Sequence, residues 1–214
     1  SALPTAKGLY NPEYEKDACG VGFSCHIKGK PSHKIVSDAK NLLCNMTHRG
    51  GELNPKDGDG AGLLLSLPHK FLVREFAYDC GVELPALGQY GTGNVFFKKD
   101  DTVFEKSKQT FEGIAQLLGL RVLGWRKVPH DSTILGPASL SREPLILQPA
   151  VVLAEAYGLG VKPSQEVSTA EWDAKYAKEF QRSLFILRKQ STHTIGLHNW
   201  FYICSLSLKT IVYK

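Results

Sequence analysis

The predicted fold begins with the stretch Cys19-Gly-Val-Gly-Phe-Ser-Cys-His-Ile27. Small or apolar residues alternate here with polar ones, a pattern typical of a β-strand, and the turn signal Gly29-Lys-Pro31 ends it. Residues 1–18 contain proline and glycine and show little apolar periodicity, so we predict an extended leader ahead of the fold. The predicted domain is therefore 19–214.

Apolar spacing along the rest of the chain predicts three helices and several strands. The predicted helices run from the N-cap Ser32 to Met46, from Asp100 or Asp101 to Leu118, and from Thr169 through Leu187. The predicted strands are Leu63–Leu67, Asn94–Lys98, Arg121–Val128 and Leu145–Leu153, followed by a hairpin over Trp200–Lys214 that turns near Ser207–Lys209. Because few helices separate successive strands, the pattern favours an α+β fold in which helices cover antiparallel sheet.

Composition and charge exclude several classes of protein. The 214 residues are 43% hydrophobic, and 26 Lys+Arg against 21 Asp+Glu leave a net charge of +5, as in an ordinary globular domain. The basic residues are scattered, so the sequence indicates no nucleic-acid site, and it contains no apolar run long enough for a membrane span. A leader with Glu13, Glu15 and Asp17 does not fit a transit peptide, which favours the cytoplasm and leaves a mitochondrial leader upstream open.

Five cysteines, an odd number without a CxxC pair, predict a reducing compartment. Cys19 is the candidate nucleophile because Gly20 and Gly22 would let a substrate approach its thiol closely. Removal of 1–18 would free its α-amine, whose pKa of about 7.7 to 8.0 suits a general base. The alternative is a buried strand cysteine, which spacing alone does not exclude.

His48-Arg49-Gly50 follows the first predicted helix. Arg49 near a thiol would favour the thiolate and could donate hydrogen bonds to a substrate. The alternative is a cation that complements the dipole at the helix C-terminus.

No metal or phosphate site is predicted. Asp57-Gly-Asp-Gly-Ala-Gly62 would place Pro68 where a calcium loop needs Glu, and it does not match a phosphate-binding glycine motif. It is typical of a tight turn that places a loop against a strand. His193 and His198 have the wrong spacing for two ligands on one helical turn.

Four motifs in order resemble the N-terminal class II glutamine amidotransferase domain of glutamate synthases, and Lys16–Lys40 is similar to the fungal, NADH-dependent, single-chain type. They are Asp17-Ala-Cys-Gly-Val-Gly-Phe23, Met46-Thr-His-Arg-Gly50, Asp57-Gly-Asp-Gly-Ala-Gly62, and Phe201–Ser207 with Thr210–Lys214. The resemblance implies an N-terminal-nucleophile hydrolase fold, with two antiparallel sheets between helical layers.

The resemblance also implies a mechanism. Cys19 would attack the side-chain amide of glutamine, release ammonia and form a thioester that water hydrolyses to glutamate. The freed α-amine of Cys19 would be the base, and Arg49 would organise the cysteine loop and the substrate.

In that family the oxyanion hole lies in a His-Asn-Gly-Glu motif and the substrate carboxylate is held by a His-Gln-Arg motif, both after the segment that matches Thr210–Lys214. Neither motif occurs here, so no substrate-binding residue is assigned and the fold is expected to be incomplete in this chain. With 1–18 still attached, we expect the isolated chain to be inactive. The alternatives are a non-catalytic piece of this scaffold and another N-terminal-cysteine amidohydrolase.

In the parent enzyme the resemblance implies that the ammonia is used to aminate 2-oxoglutarate reductively. FMN, FAD, an iron–sulfur cluster and NADH would bind outside this chain, which is expected to hold no cofactor and no metal. The implied partners are glutamine, the remaining domains of the parent enzyme and further copies in an oligomer, with no nucleic acid and no membrane.

Overall fold

A computed structural model describes residues 5–9, 11, 20–54, 56–154, 172–196 and 199–213. The chain divides into two compact units, Ser1–Ala61 and Gly62–Lys214. Cys19, most of the predicted leader, and the predicted helix start at Thr169 lie outside the described residues.

The first unit is built on one helix. Helix α1 (His33–Asn45) has Ser32 at its N-cap, as predicted, although the Ser32 side chain makes no capping hydrogen bond. A 3-10 turn over Thr47–Arg49 follows. The Gly and Asp residues of Thr47–Gly62 predict a loop. Within it, however, the short strands β1 (Glu52–Asn54) and β2 (Asp57–Gly58) pair antiparallel.

The strand predicted for Cys19–Ile27 is wrong over its described part, because 20–27 has no strand partner among the described residues. The alternation is real, but the side that faces α1 carries the glycines. Gly22 lies against Leu42, while Val21 and Phe23 are 95% and 90% exposed. A period of two in the sequence therefore does not make a strand here without a partner strand.

The second unit holds most of the secondary structure. Its elements are β3 (Leu63–Ser66), α2 (His69–Cys80), β4 (Val95–Phe97), α3 (Asp101–Leu117), β5 (Leu120–Lys127), α4 (Pro137–Ser141), β6 (Leu145–Leu153), a π-helical turn (Asp173–Ala177), α5 (Lys178–Ile195), β7 (Tyr202–Ile203) and β8 (Thr210–Tyr213). The predicted helix over 101–118 is confirmed, with the Asp100 carboxylate accepting from Val103 N–H at 3.0 Å. Strands β3 to β6 confirm the four predicted strands.

The strands form antiparallel sheets only, among the described residues. Strands β5-β6-β4-β7 make a four-stranded sheet, and β3 pairs with β8 from Leu63↔Tyr213 to Ser66↔Thr210. The predicted tail hairpin is wrong, because β7 pairs with β4 while β8 pairs with β3. The turn near Ser207 exists: its Oγ accepts from the N–H groups of Lys209 and Thr210, and it carries the chain from one sheet to the other.

The four-stranded sheet separates two hydrophobic cores, as its alternating side chains show. On β6, Val151 joins the core formed with α3 and α5, whereas Ala150 and Val152 join the core formed with α2 and the β3–β8 sheet. The second unit thus confirms the predicted α+β arrangement of antiparallel sheets and helical layers. No helix in the described part of the chain has the length and apolarity needed to cross a membrane.

Candidate active site around Arg49

Gly20, the residue that follows Cys19, packs against the end of α1. A Cβ atom at Gly20 would lie 2.8 Å from Met46 Sδ and 3.5 Å from Arg49 Cγ. A Cβ atom at position 20 would therefore displace Met46 Sδ, whereas it would be in ordinary van der Waals contact with Arg49. The structure thus brings together the described end of the cysteine motif and the predicted Arg49, although Cys19 itself lies outside the described residues.

Gly22 extends this contact along the helix. A Cβ atom there would lie 2.5 Å from Leu42 Cδ1, so the missing side chain again allows the close approach. Residues 20 and 22 thus set the segment after Cys19 against the C-terminal half of α1.

Arg49 is positioned by its main chain as well as by this packing. Its N–H donates to Met46 O at 2.8 Å, and the N–H of Gly50 donates to Thr47 O at 3.1 Å, which closes the 3-10 turn. Arg49 is half-buried. It lies beyond Met46, the C-cap of α1, and in the last turn of the 3-10 helix, so the interpretation of Arg49 as a cation at a helix C-terminus stands beside the functional one.

The Asp/Gly motif contacts the arginine motif directly. The N–H of Gly51 donates to Asp59 Oδ2 at 3.0 Å, and the N–H of Asp59 donates back to Gly51 O at 2.9 Å. These two bonds join the end of β2 to the chain just after Arg49. The tight turn predicted for Asp57–Gly62 is wrong, because Asp57–Gly58 form β2 and 59–62 contain no turn. The motif lies beside the arginine motif through the pairing of Asp59 with Gly51.

The fourth motif is held by buried amide side chains that the sequence did not single out. Asn94 Nδ2 donates to Val212 O at 2.8 Å, and Cys204 N–H donates to Asn94 O at 3.1 Å. Gln148 Nε2 in turn donates to Asn94 Oδ1 at 2.8 Å. Asn94 therefore connects both halves of the motif, β7 and β8, to β6.

Arg126 extends the same hydrogen-bond network from Gln148 to Asp79. Its Nη1 donates to Gln148 Oε1 at 3.0 Å, and its Nε forms a 2.8 Å ion pair with Asp79 Oδ2. The Arg126 side chain is only 4% exposed. A buried charge needs such partners, and no spacing rule in the sequence reveals them.

Cys80 has a thiol that is poorly suited to nucleophilic chemistry. Burial and the neighbouring Asp79 carboxylate raise the pKa of the Cys80 thiol, and Sγ donates to Trp125 O at 3.3 Å. Cys25 and Cys44 are exposed free thiols. They are therefore useful internal controls for the reactivity of Cys19.

The described residues were also tested against the groups that the resemblance implies for the parent enzyme. They contain no cluster of three His, Cys, Asp or Glu side chains that could hold a metal ion. They therefore do not fit an iron–sulfur cluster, and no flavin or nicotinamide motif was found in the sequence.

Comparisons with known proteins show what the chain is similar to. A family model described as class-II glutamine amidotransferases matches residues 19–214. The chain is 53% identical over 214 residues to "Glutamate synthase [NADH]" of Schizosaccharomyces pombe and 48% identical over 218 residues to the Saccharomyces cerevisiae protein of that name. Both alignments cover all of this chain and 10% of the relative.

A bacterial relative is more distant. The "Glutamate synthase [NADPH] large chain" of Bacillus subtilis is 37% identical over 216 residues, covering 99% of this chain and 13% of that protein. The chain therefore spans about a tenth of the length of the curated relatives it matches.

Proposed function

Because this chain belongs to the class II glutamine amidotransferase family, we propose that it releases ammonia from glutamine, with Cys19 as the nucleophile and Arg49 in support. The family membership also confirms the fold class predicted from the four motifs, that of the N-terminal-nucleophile hydrolases. The chain is homologous to the glutaminase part of glutamate synthases.

The reaction follows from the chemistry of a thiolate and an amide. The Cys19 thiolate attacks the side-chain amide carbon of glutamine, the C–N bond breaks, and ammonia leaves with a proton from the protonated α-amine. A water molecule then attacks the thioester, the amine takes a proton from that water, and glutamate leaves as the thiol is restored. The amine can act in this way only after residues 1–18 have been removed.

One observation carries the proposal. The Cγ atom of Arg49 lies 3.5 Å from the position of a Gly20 Cβ, next in sequence to Cys19, and we expect its guanidinium to reach the thiol. A guanidinium close to a thiol favours the thiolate, which is the reactive form. The family match, whose first residue is Cys19, supports the same assignment.

The wider activity belongs to the same proposal. We expect the ammonia to be used for reductive amination of 2-oxoglutarate by other domains of a longer polypeptide. Flavin, iron–sulfur and nicotinamide groups would bind in those domains. A cytoplasmic setting and an oligomeric parent enzyme complete this proposal.

The test uses a glutamine analogue that carries an electrophilic diazoketone. The natural polypeptide that contains these residues is treated with it, with 1–18 either retained or removed, and the adduct is mapped by mass spectrometry. We expect labelling at Cys19, dependent on removal of 1–18, blocked by excess glutamine and absent in Cys19→Ser. Ammonia release from glutamine should depend on the same cysteine.

Several outcomes would contradict the proposal. Equal labelling of Cys25, Cys44 and Cys80 would show that the analogue reacts with accessible thiols without a site. Blocking by asparagine but not by glutamine would favour a different amidohydrolase. Ammonia release by Cys19→Ser at the rate of the parent would show that Cys19 is not the nucleophile.

A further inference from the structure

We propose that Asp59 is a positioning residue that holds Arg49 against the segment carrying the nucleophile. This inference rests on the proposed function, because it assigns to Asp59 a role in the reaction of Cys19. Asp59 belongs to the Asp/Gly motif, to which neither the sequence reasoning nor the proposed mechanism gives a chemical role.

The need for such a residue comes from the two glycines that follow Arg49. Gly50 and Gly51 have no Cβ, so their main chain can adopt many more conformations than that of other residues. The N–H groups of Arg49 and Gly50 are bonded within the 3-10 turn, to Met46 O and Thr47 O. The next N–H, that of Gly51, lies outside the turn and is bonded by Asp59.

Asp59 holds Gly51 at both of its main-chain groups. Its carboxylate accepts from Gly51 N–H at 3.0 Å, and its own N–H donates to Gly51 O at 2.9 Å. Two bonds between one pair of residues fix orientation as well as distance. The side-chain bond can be removed by substitution, whereas the main-chain bond stays available.

The position of Gly51 affects the segment that follows Cys19 because Arg49 lies between them in the chain and contacts that segment. The Cβ and Cγ atoms of Arg49 lie 3.6 and 3.5 Å from the position of a Gly20 Cβ. A displacement of the chain at Gly51 would therefore move the surface on which residue 20 lies. In a well-ordered active site, a misplacement of about 1 Å can cost on the order of a hundredfold in rate.

The contact contributes little to stability, which makes the role testable. Asp59 and Gly51 are both exposed, so water competes for these groups and the net value of the hydrogen bond is small. We therefore expect an Asp59 variant to fold. An effect on catalysis without an effect on stability would distinguish positioning from a merely structural role.

The experiment compares Asp59→Ala and Asp59→Asn in the natural polypeptide after removal of 1–18. Ammonia release from glutamine gives kcat and KM, and chemical denaturation gives the free energy of unfolding. We expect Asp59→Ala to lower kcat/KM by about tenfold to a hundredfold, mostly through kcat. Asparagine keeps an acceptor oxygen, so Asp59→Asn should restore the value to within about threefold of the parent.

A double-mutant cycle with Arg49→Ala tests whether Asp59 acts through Arg49. If it does, Asp59→Ala should change kcat/KM by less than about twofold in the Arg49→Ala background. The matched control is Asp131→Ala, an exposed aspartate whose Oδ1 accepts from Thr133 N–H at 2.9 Å in the other unit, and we expect full activity. Additive losses in the double mutant, or no rescue by asparagine, would overturn the proposal.

Failure of the proposed function would look different. If Cys19→Ser kept its activity, the nucleophile assignment would be wrong whatever Asp59 does. If Cys19→Ser were inactive while Asp59→Ala matched the parent in kcat and KM, only the positioning role would be wrong.

Discussion

The two units of the chain bury their side chains to very different extents. Among the described residues before Gly62, Asp57 alone is buried, and α1 has no buried residue. After Gly62, two hydrophobic cores contain fully buried side chains such as Phe76, Phe111 and Leu184. The described part of the first unit is therefore held mainly by hydrogen bonds and glycine contacts, and that of the second by packing.

The two units also differ in what a side chain added at a closely packed glycine would meet. In the first unit, a Cβ at Gly22 would meet the end of the half-exposed Leu42 side chain, which can rotate away. In the second, a Cβ at Gly93 would lie 1.6 Å from the main-chain oxygen of Ser205, which cannot move without the strands around it. The contact of Gly22, in the cysteine motif, thus involves a side chain that can change its rotamer. The contact of Gly93, in the second unit, involves main-chain atoms that cannot move independently.

The largest effect is expected from Gly93→Ala. Because its Cβ would overlap a backbone atom inside a closely packed unit, we expect loss of more than about 4 kcal/mol of stability, or no folded protein. Gly22→Ala is the matched control, and we expect it to fold with a change of under about 1 kcal/mol. Circular dichroism with urea denaturation measures both; similar losses for the two variants would contradict the distinction between the units.

A smaller effect is expected from truncating leucines of the two units. Leu184 is fully buried, so Leu184→Ala should lower the free energy of unfolding by about 3 to 5 kcal/mol through lost burial and a cavity. Leu42 is half-exposed, and Leu42→Ala should cost about 1 kcal/mol or less. Equal costs would indicate that the first unit is as well packed as the second.

The smallest effect concerns pH and lies in the second unit. Burial lowers the pKa of His69, and His69 Nδ1 lies 3.1 Å from the hydroxyl of the buried Tyr90. The folded-state pKa lies below the unfolded value of about 6.5. The part of the free energy of unfolding that depends on neutral His69 is therefore fully present above that pH. It is lost progressively as the pH falls below the unfolded value towards the lowered one.

This pH dependence is measured as a difference between two proteins. The free energy of unfolding is determined at about pH 7.5 and about pH 5.5 for the parent and for His69→Asn, since asparagine keeps a polar group near Tyr90 but does not titrate. We expect the parent to lose more stability on acidification than the variant does. An equal loss would show that the pKa of His69 is the same in the folded and unfolded states.

The sequence predicted those helices whose ends carry a capping residue or a terminating glycine. Asp100 caps α3 as its position indicated, and Gly119, with a φ of 69°, follows that helix in the left-handed conformation. Helix α2 was missed because it has Pro68 at its N-cap position and no capping side chain. Its buried Leu72 and Phe76 are four apart, which is the signal that could have found it.

Long-range pairing is where sequence reasoning was wrong. Strands β7 and β8 do form within the predicted stretch, yet alternation does not specify a partner strand, and the two strands join different sheets. The same limit applies to 20–27, which alternates without a partner strand among the described residues. In both cases the side chains determined local conformation, while the rest of the fold determined pairing.

The sequence by itself determined the family, the α+β class and the candidates Cys19 and Arg49, because these depend on residue types in a fixed order along the chain. The tertiary structure alone decided that Gly20 packs against Arg49, that Asp59 holds Gly51, and that Asn94 ties β7 and β8 to β6. Such contacts join residues far apart in sequence through distances of a few ångströms. Composition and periodicity carry no information about those distances, because they are set by how the whole chain packs.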